Sequence, residues 1–520
     1  MPTLNWIGKD KVLTHHTEVP YRVLDRKYTF GDTPDSGNMI IHGDNLEALK
    51  SLLPRYENRI KCIYIDPPYN TGNEGWVYND NVNDPHIRKW LGEIVGKESE
   101  DLTRHDKWLC MMYPRLMLLQ RLLSEDGVIF ISIDDNEVTN LRMICDEIFG
   151  KTHYLNTLVW RKNSTTVMLN KEGFSNCTEY ILVYKKSDKP LRILNDEISE
   201  KLAKSYNKDD GDGRGPYGTV HLYTKTNGNK LKTLLMPDGS YFEAQWQVTQ
   251  ETFDEYVRQG LVIKTPSGWR KKIYLSNCKG NVPVNLLDMD VVGTTKHGTS
   301  ENQKIFGEIK FPYPKPSMLI KYLIGKLELG DEEFIVLDSF AGSGTTAHAV
   351  LNMNKEDGGQ RKFILCEMSD YAEDITAERV RRVMSGYGDS KNPVEGTGGS
   401  FDFFELGETI FDPSSDNLND NADTEQIKEY VWYSETHAAF AAPGADAHPY
   451  LLGSFKYTNY YFYYIKGEET CLDWDFLKTF TERDKAEAYV IYADRCVLTP
   501  EELLKFNIVF KKIPRDIKRV

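Results

Sequence analysis

The stretch Ile63-Tyr64-Ile65-Asp66-Pro67-Pro68-Tyr69-Asn70-Thr71-Gly72 decides how the chain is read. It closes a run, residues 60–65, that is apolar apart from Lys61 and Cys62 and reads as a short buried strand. The run stops at a carboxylate followed by two prolines. Proline cannot continue a sheet ladder and holds φ at about −65°. The residue before a proline is pushed to extended geometry. The result is a stiff corner at the carboxyl end of a strand, presenting one acid, one ring and one carbonyl. Open α/β sheets bind their ligands at such strand ends. A corner with no further task is more often built from Gly, Asn or Ser.

Four other apolar runs end the same way. Met39-Ile40-Ile41-His42 leads to Asp44-Asn45, residues 128–133 to Asp134-Asp135, residues 334–337 to Asp338, and residues 363–366 to Glu367. Helical patterns follow most of them, such as Leu46, Leu49, Leu52 and Leu53. Trp108 to Leu123 reads as an amphipathic helix with Arg115 and Arg121 on its wetter side. Together these predict one parallel sheet with a row of carboxylates along its C-terminal edge. An acid at a strand end can also cap the next helix, and Asp134 and Asp135 carry both readings. Residues 154–161 and 178–185 read as an antiparallel ribbon at the sheet edge. The polar stretch 70–106 is too long for a plain connector and suits a mobile active-site loop.

The second informative stretch is Asp338-Ser339-Phe340-Ala341-Gly342-Ser343-Gly344-Thr345-Thr346. It is a Gly-rich strand-to-helix turn, but neither GxGxxG nor GxxxxGK[ST], so a phosphate cradle is disfavoured. Amides at a helix N-terminus suit a carboxylate, Asp338 suits an ammonium, and Phe340 offers a ring. Glu367, at the tip of the next strand, is placed to take two ribose hydroxyls, as the acid does in dinucleotide folds. An amino acid joined to a nucleoside is S-adenosylmethionine.

Composition sets the frame. A chain of 520 residues, 40% hydrophobic and 27% charged, has room for about three domains with real cores. No apolar run is long enough for a membrane span and no signal segment opens the chain, so no membrane role is expected. The eight Cys are scattered without a CxxC pair, which predicts neither zinc site nor disulfide framework and favours a reducing cytoplasm. No metal ligand set is expected. A net charge of −14 argues against non-specific coating of nucleic acid. The charge is uneven, however. Residues 151–310 hold 24 Lys+Arg against 18 Asp+Glu, an excess of +6, and residues 386–435 hold 2 against 12, or −10. From about 186 the composition shifts to Lys, Asn, Gly and Thr with interleaved aromatics, a separate small module. Within it Arg270-Lys271-Lys272 follow Trp269 and are candidate phosphate contacts.

These motifs carry a resemblance. The sequence resembles amino-group DNA methyltransferases of the β arrangement, in which Asp-Pro-Pro-Tyr precedes Phe-x-Gly-x-Gly. In particular it resembles the modification (Mod) subunits of type III restriction-modification systems. Supporting stretches are His42 to Leu49, Ile65 to Gly72, Thr178 to Tyr184, Phe311 to Lys315, Asp338 to Thr346 and Tyr492-Ala493-Asp494. The likeness covers about 38–185 and 311–384 and is looser in 186–310. It implies an α/β, Rossmann-like S-adenosylmethionine-dependent methyltransferase fold with circularly permuted motif order, a target-recognition insertion and a C-terminal α+β domain. The implied organisation is a lead-in over 1–37, a catalytic half over 38–185 and target recognition over 186–310. A cofactor-binding half over 311–385, an acidic linker over 386–424 and a dimerisation or partner domain over 425–520 complete it.

The resemblance also implies roles. Asp66, Pro67, Pro68 and Tyr69 match the catalytic motif. Asp338, Phe340, Ala341, Gly342, Ser343, Gly344, Thr345, Thr346 and Glu367 match the cofactor site, with Asp44 and Asn45 near the adenine. The implied activity is methyl transfer from S-adenosylmethionine to N6 of a flipped adenine in double-stranded DNA. The implied setting is the bacterial cytoplasm, at the nucleoid, as a homodimer, either in a type III restriction-modification system with a restriction (Res) nuclease/translocase subunit as partner or as an orphan enzyme. Alternatives are methylation of cytosine N4, methylation of RNA, and a DNA-specificity subunit without catalysis.

Overall fold

The computed structural model describes residues 3–71, 89, 92–94, 103–163, 175–196, 198, 200–224, 231–328, 333–412, 414–415, 417–481 and 484–518. Gly72 and most of the 70–106 stretch therefore lie outside the described residues. The chain divides into two compact units, residues 1–192 with 284–520, and residues 193–283. The second lies within the span 186–310.

The larger unit is organised by a ten-stranded sheet. Its strands are β1 (Arg22–Phe30), β2 (Met39–His42), β3 (Ile60–Ile65), β4 (Leu123–Ile133), β5 (Tyr154–Arg161), β6 (Thr178–Lys185), β7 (Leu286–Leu287), β8 (Ile335–Asp338), β9 (Lys362–Glu367) and β10 (Phe401–Thr409). Their spatial order is β1-β10-β2-β9-β8-β3-β4-β6-β5-β7. The six central strands from β10 to β4 run parallel. β6 is antiparallel to both β4 and β5, which gives the edge ribbon read from sequence.

Short apolar runs make these strands because both sheet faces are covered. Ile63 and Ile65 of β3 pack on one face, Cys62 and Tyr64 on the other. The first face is covered by α1 (Asn45–Tyr56) and α2 (Arg104–Leu122). The second is covered by α4 (Thr345–Asp357), α5 (Glu378–Ser385) and the preceding helix α3 (Ser317–Gly325). The connection leaving β8 leads to β9 on one side, and the connection leaving β3 leads to β4 on the other. The strand order therefore reverses between β8 and β3, where open α/β sheets form their ligand crevice.

Two stretches that read as irregular from sequence are ordered. The span 386–424 contains β10, whose Phe401, Asp402, Phe403 and Phe404 are buried, although its composition suggests a linker. The polar Gly, Ser and Asp residues sit in the flanking turns, and the four-residue core of the strand is short enough to be masked by them. The span 1–37 contains β1, which pairs with β10. Arg115 is corrected outright: it is 1% exposed rather than on a wet face.

The C-terminal stretch adds a four-stranded sheet of residues 451–455, 458–462, 488–493 and 508–512, in that order, the last three parallel. Tyr461 and Phe462 from its aromatic run are core residues, whereas Tyr457 is exposed. Trp474, Leu504 and Phe506 are also exposed, and the Trp474 and Phe506 rings meet edge-on at 5.6 Å.

Among the described residues the unit 193–283 is built from two three-stranded antiparallel sheets and two α-helices, Glu200–Ser205 and Gln250–Arg258. Its core gathers Leu222, Tyr223, Leu234, Trp246, Phe253 and Trp269.

Candidate active site

The crevice at the strand reversal brings the two motifs together. Asp66 follows β3 and Asp338 ends β8, on neighbouring strands. Pro67 and Pro68 fix the corner, and Trp108 Nε1 of α2 donates to Pro68 O at 2.6 Å. Asn70 completes the turn with a φ of +58°, strained for a side chain outside glycine. Its amide is clamped by the fully buried Glu137, which also takes His105 Nδ1 at 2.6 Å.

Around Asp66 the side chains form a closed network. Tyr69 OH donates to Asp66 Oδ1 at 2.8 Å and lies 3.1 Å from Glu179 Oε2. Lys315 Nζ is 2.9 and 2.7 Å from the two Asp66 oxygens, 2.8 Å from Tyr69 OH and 3.4 Å from Glu179 Oε2. Lys162 Nζ donates to Glu179 Oε1 at 3.1 Å. Burial works against the Glu179 carboxylate, but Lys315 and Lys162 outweigh it and hold it below the usual range. Removing one partner of such a buried pair costs about 3–5 kcal/mol, because the other charge is left stranded. Tyr69 is 9% exposed, and its hydroxyl is tied to Asp66 and Glu179.

The Gly-rich turn is equally determined. Asp338 Oδ1 accepts from Phe340 N at 3.0 Å and Oδ2 from Thr346 Oγ1 at 2.5 Å. Gly342 and Gly344 take φ of +53° and +78°, which the turn requires. Gly342 N donates to Glu367 Oε2 at 2.8 Å, and Ala341 N to Cys366 O at 3.1 Å, so the turn is stitched to the end of β9. Glu367 Oε1 also accepts from Ser369 N and Tyr371 OH, each at 3.0 Å. Behind the turn the fully buried Arg379 of α5 donates to Ser343 Oγ and Thr345 Oγ1, both at 2.8 Å.

Asp44 and Asn45 do structural work in this arrangement. Asp44 caps α1, accepting from Leu46 N at 2.8 Å. Asn45, 1% exposed, braces the neighbouring turn by donating to Ser339 O at 3.0 Å and accepts from Arg115 Nε at 2.6 Å. Asp134 forms a local turn with Asn136, accepting from its backbone N at 2.9 Å. Arg270, Lys271 and Lys272 fall in the other unit, on the strand Gly268–Tyr274. The strand's alternation divides them. Arg270 and Lys272 face Thr219 and Asp210, whereas Lys271 lies over the Tyr256 ring on the other side, 3.4 Å from its centre.

Glu179 and Lys315 lie in two of the stretches that carry the resemblance, 178–184 and 311–315, although no role attaches to them there, and Lys162 and Arg379 lie in none of the quoted stretches. Glu179 carried a readable signal: it alternates with Ile181 and Val183 on one face of β6, and a buried acid demands a cation. Arg115 carried the same signal, sharing a helix face with Met111, Leu118 and Leu122.

The electrostatics favour a cationic guest. Burial, with Asp66 and Glu367 nearby, pushes the Asp338 carboxyl up to about 7. Burial likewise pushes Glu367 up to about 7. Ser339 Oγ, between Asp338 and Phe340, is buried and has no hydrogen-bond partner among the described residues. Desolvated acids and an orphan hydroxyl beside a Gly-rich helix start fit a ligand with an ammonium, a sulfonium and polar edges. S-adenosylmethionine is such a ligand, and Asp338, Phe340, the 341–346 turn and Glu367 are the residues that would hold it. Among the described residues no group of three or more His, Cys, Asp or Glu could hold a metal ion.

An open α/β sheet with a Gly-rich turn and an Asp-Pro-Pro-Tyr corner at its strand reversal defines a ligand-binding α/β enzyme class. Within that class the chain belongs to the N6/N4 DNA methylase family, whose model, described as DNA methylase, matches residues 60–378. It is 35% identical over 414 residues to the type III restriction-modification enzyme StyLTI Mod subunit of Salmonella typhimurium strain LT2, covering 73% of this chain and 62% of that one. It is 32% identical over 430 residues to the EcoPI Mod subunit of Escherichia phage P1, covering 71% and 64%. It is 31% identical over 369 residues to the type II methyltransferase M.KpnI of Klebsiella pneumoniae, covering 66% and 84%. The match thus spans less than two thirds of the length of the two Mod subunits.

Proposed function

We propose that this chain is a site-specific DNA methyltransferase that transfers a methyl group from S-adenosylmethionine to N6 of adenine in duplex DNA. The observation that carries the reading is the convergence of the Asp66 corner and the Asp338–Glu367 turn on adjacent strand ends, close enough for Asp66 to act electrostatically on Asp338. An exocyclic amine is a poor nucleophile because its lone pair is delocalised into the ring. Asp66 and the Pro67 carbonyl would accept hydrogen bonds from its two N–H groups and bias the nitrogen toward tetrahedral. When bound, the cofactor supplies a methyl group already activated by the sulfonium. The chain contributes alignment, desolvation and an anion beside the developing positive charge. An amine that gains a methyl group must give up one proton, and Asp66 would be placed to accept it. A duplex base reaches such a crevice only when flipped out of the stack.

The test is incubation of the protein with labelled cofactor and mixed-sequence duplex DNA, followed by nucleoside analysis and methylation-sensitive sequencing. N6-methyladenine at one recurring sequence is expected. Label on cytosine N4 alone would move the chain to its sister chemistry, and cofactor binding without any transfer would make it a specificity subunit. Transfer to RNA alone would sink the DNA reading.

The unit 193–283, with its basic strand, is the proposed target-recognition part, and a Res subunit is the proposed partner, since two relatives are named as Mod subunits. The exposed Trp474, Leu504 and Phe506 support a protein contact in the C-terminal stretch. A homodimer is expected by light scattering at micromolar concentration, and a monomer there would count against it. No helix among the described residues is long and apolar enough to cross a membrane.

A further inference from the structure

Lys315 lies in Phe311-Pro312-Tyr313-Pro314-Lys315-Pro316, a connector between the helix Thr295–Phe306 and α3. Its side chain is only 10% exposed, yet it carries an amine. Burial works against the ammonium, and Asp66 and Glu179 outweigh it, so Lys315 is held above the ordinary lysine range. A charged amine has no lone pair with which to take a proton. Lys315 is therefore not the base of the reaction.

The connector is built to hold this amine in place. Three prolines restrict its backbone. Tyr313 takes a φ of +51°, a conformation that a bulky side chain keeps only where its surroundings impose it. Gly298 of the helix 295–306 packs so closely that a Cβ there would run into Pro314 O. Glu301, one turn on, accepts from Ser317 N at 3.0 Å and from Ser317 Oγ at 2.7 Å, pinning the start of α3 just past Lys315.

The charges around Asp66 explain what the amine is for. Asp66 is faced by Tyr69 from its own turn, by Glu179 on β6 and by Lys162 behind Glu179. Tyr64 on β3 and Asp338 on β8 also act on it. Without Lys315, three carboxylates would share a water-poor site, and like charges so placed suppress one another's ionisation. A protonated Asp66 offers no negative charge to the amine as positive charge develops.

We propose that Lys315 is a positioning residue for methyl transfer: lodged between Asp66 and Glu179, its ammonium holds Asp66 as an oriented anion, ready to accept from the incoming amine. The proposal rests on the methyltransferase reading above. The experiment is single-turnover DNA methylation as a function of pH, with cofactor binding by calorimetry, for wild type, Lys315→Met, Lys315→Gln and Lys315→Arg. In a neutral variant the acid limb of the rate is expected to move up by about one pH unit or more. Cofactor affinity stays within about threefold of wild type, since a shift of this kind acts on Asp66 and not on the Gly-rich turn. Lys315→Arg returns the limb to its wild-type position. If Lys315→Met does not fold by circular dichroism, Lys315→Gln carries the test. A folded neutral variant whose acid limb coincides with that of wild type overturns the proposal while leaving the methyltransferase reading standing. Wild type that transfers no methyl group overturns that reading itself.

Discussion

At the scale of single residues, Asp66 is the sharpest test. Its carboxylate is aimed by a backbone that two prolines and Trp108 hold still. The bond it would offer the amine strengthens as the nitrogen becomes positive, so it belongs to the transition state. Asp66→Ala should lower single-turnover methylation by about 100- to 1,000-fold, with cofactor affinity nearly unchanged by calorimetry. Wild-type turnover in that variant would remove Asp66 from the reaction. Asp338 and Glu367 make a second test, through protons. Both are held at about 7, so between their ordinary range and that value the folded protein binds protons that the unfolded chain releases. The cofactor-free protein should therefore lose stability as pH rises through that window. A cationic ligand favours the carboxylates and expels those protons. Affinity for S-adenosylmethionine should rise by about tenfold from pH 6 to pH 8 for each group that must ionise. Calorimetry in two buffers of different ionisation enthalpy would register the released protons, and a pH-independent heat and affinity would contradict it.

At the scale of elements, the strand Gly268–Tyr274 sharpens the DNA-contact reading. Lys272 is already paired with Asp210, which leaves Arg270 and Lys271, on opposite faces, as separate candidates. Neutralising whichever of them meets phosphate should weaken binding to all sequences alike and lower the salt slope by about 0.9 per contact. An unchanged slope in both single variants would dismiss the strand. The same alternation governs how much of the fold was legible. Five of the six central strands were readable because each is a short apolar run closed by an acid, and the two motifs declared which strand ends matter. The missed strand β10 is apolar only at Phe401, Phe403, Phe404 and Leu406, between Gly-rich and acidic neighbours, so composition averaged over a window hides it. Lys315 was missed for a different reason. Its partner Asp66 lies 249 positions away, and no local pattern reports a contact that only the closed fold creates. Glu179 and Arg115 were legible in principle, as charged residues on apolar faces.

At the scale of the whole molecule, the sheet interleaves distant parts of the chain. Ile40 of β2 is flanked by Leu365 of β9 and Phe403 of β10. Each partner arises more than 300 residues later in the sequence. A ribosome adds about 5–20 residues per second, so β2 waits roughly 16–65 s for β9 and roughly 18–73 s for β10. During that interval an apolar strand end and the Asp-Pro-Pro-Tyr corner exist without the Gly-rich turn that completes the crevice. Ribosome-bound chains arrested before residue 401 should accordingly be cut by protease within residues 39–65, and full-length chains should resist. Protection of that region in the arrested chains would show that the first half folds alone. Synthesis itself thus acts as a timer. A cell that makes this protein cannot assemble the crevice gradually along the growing chain, because it closes only once β8 and β9 are delivered beside the strands of the first half.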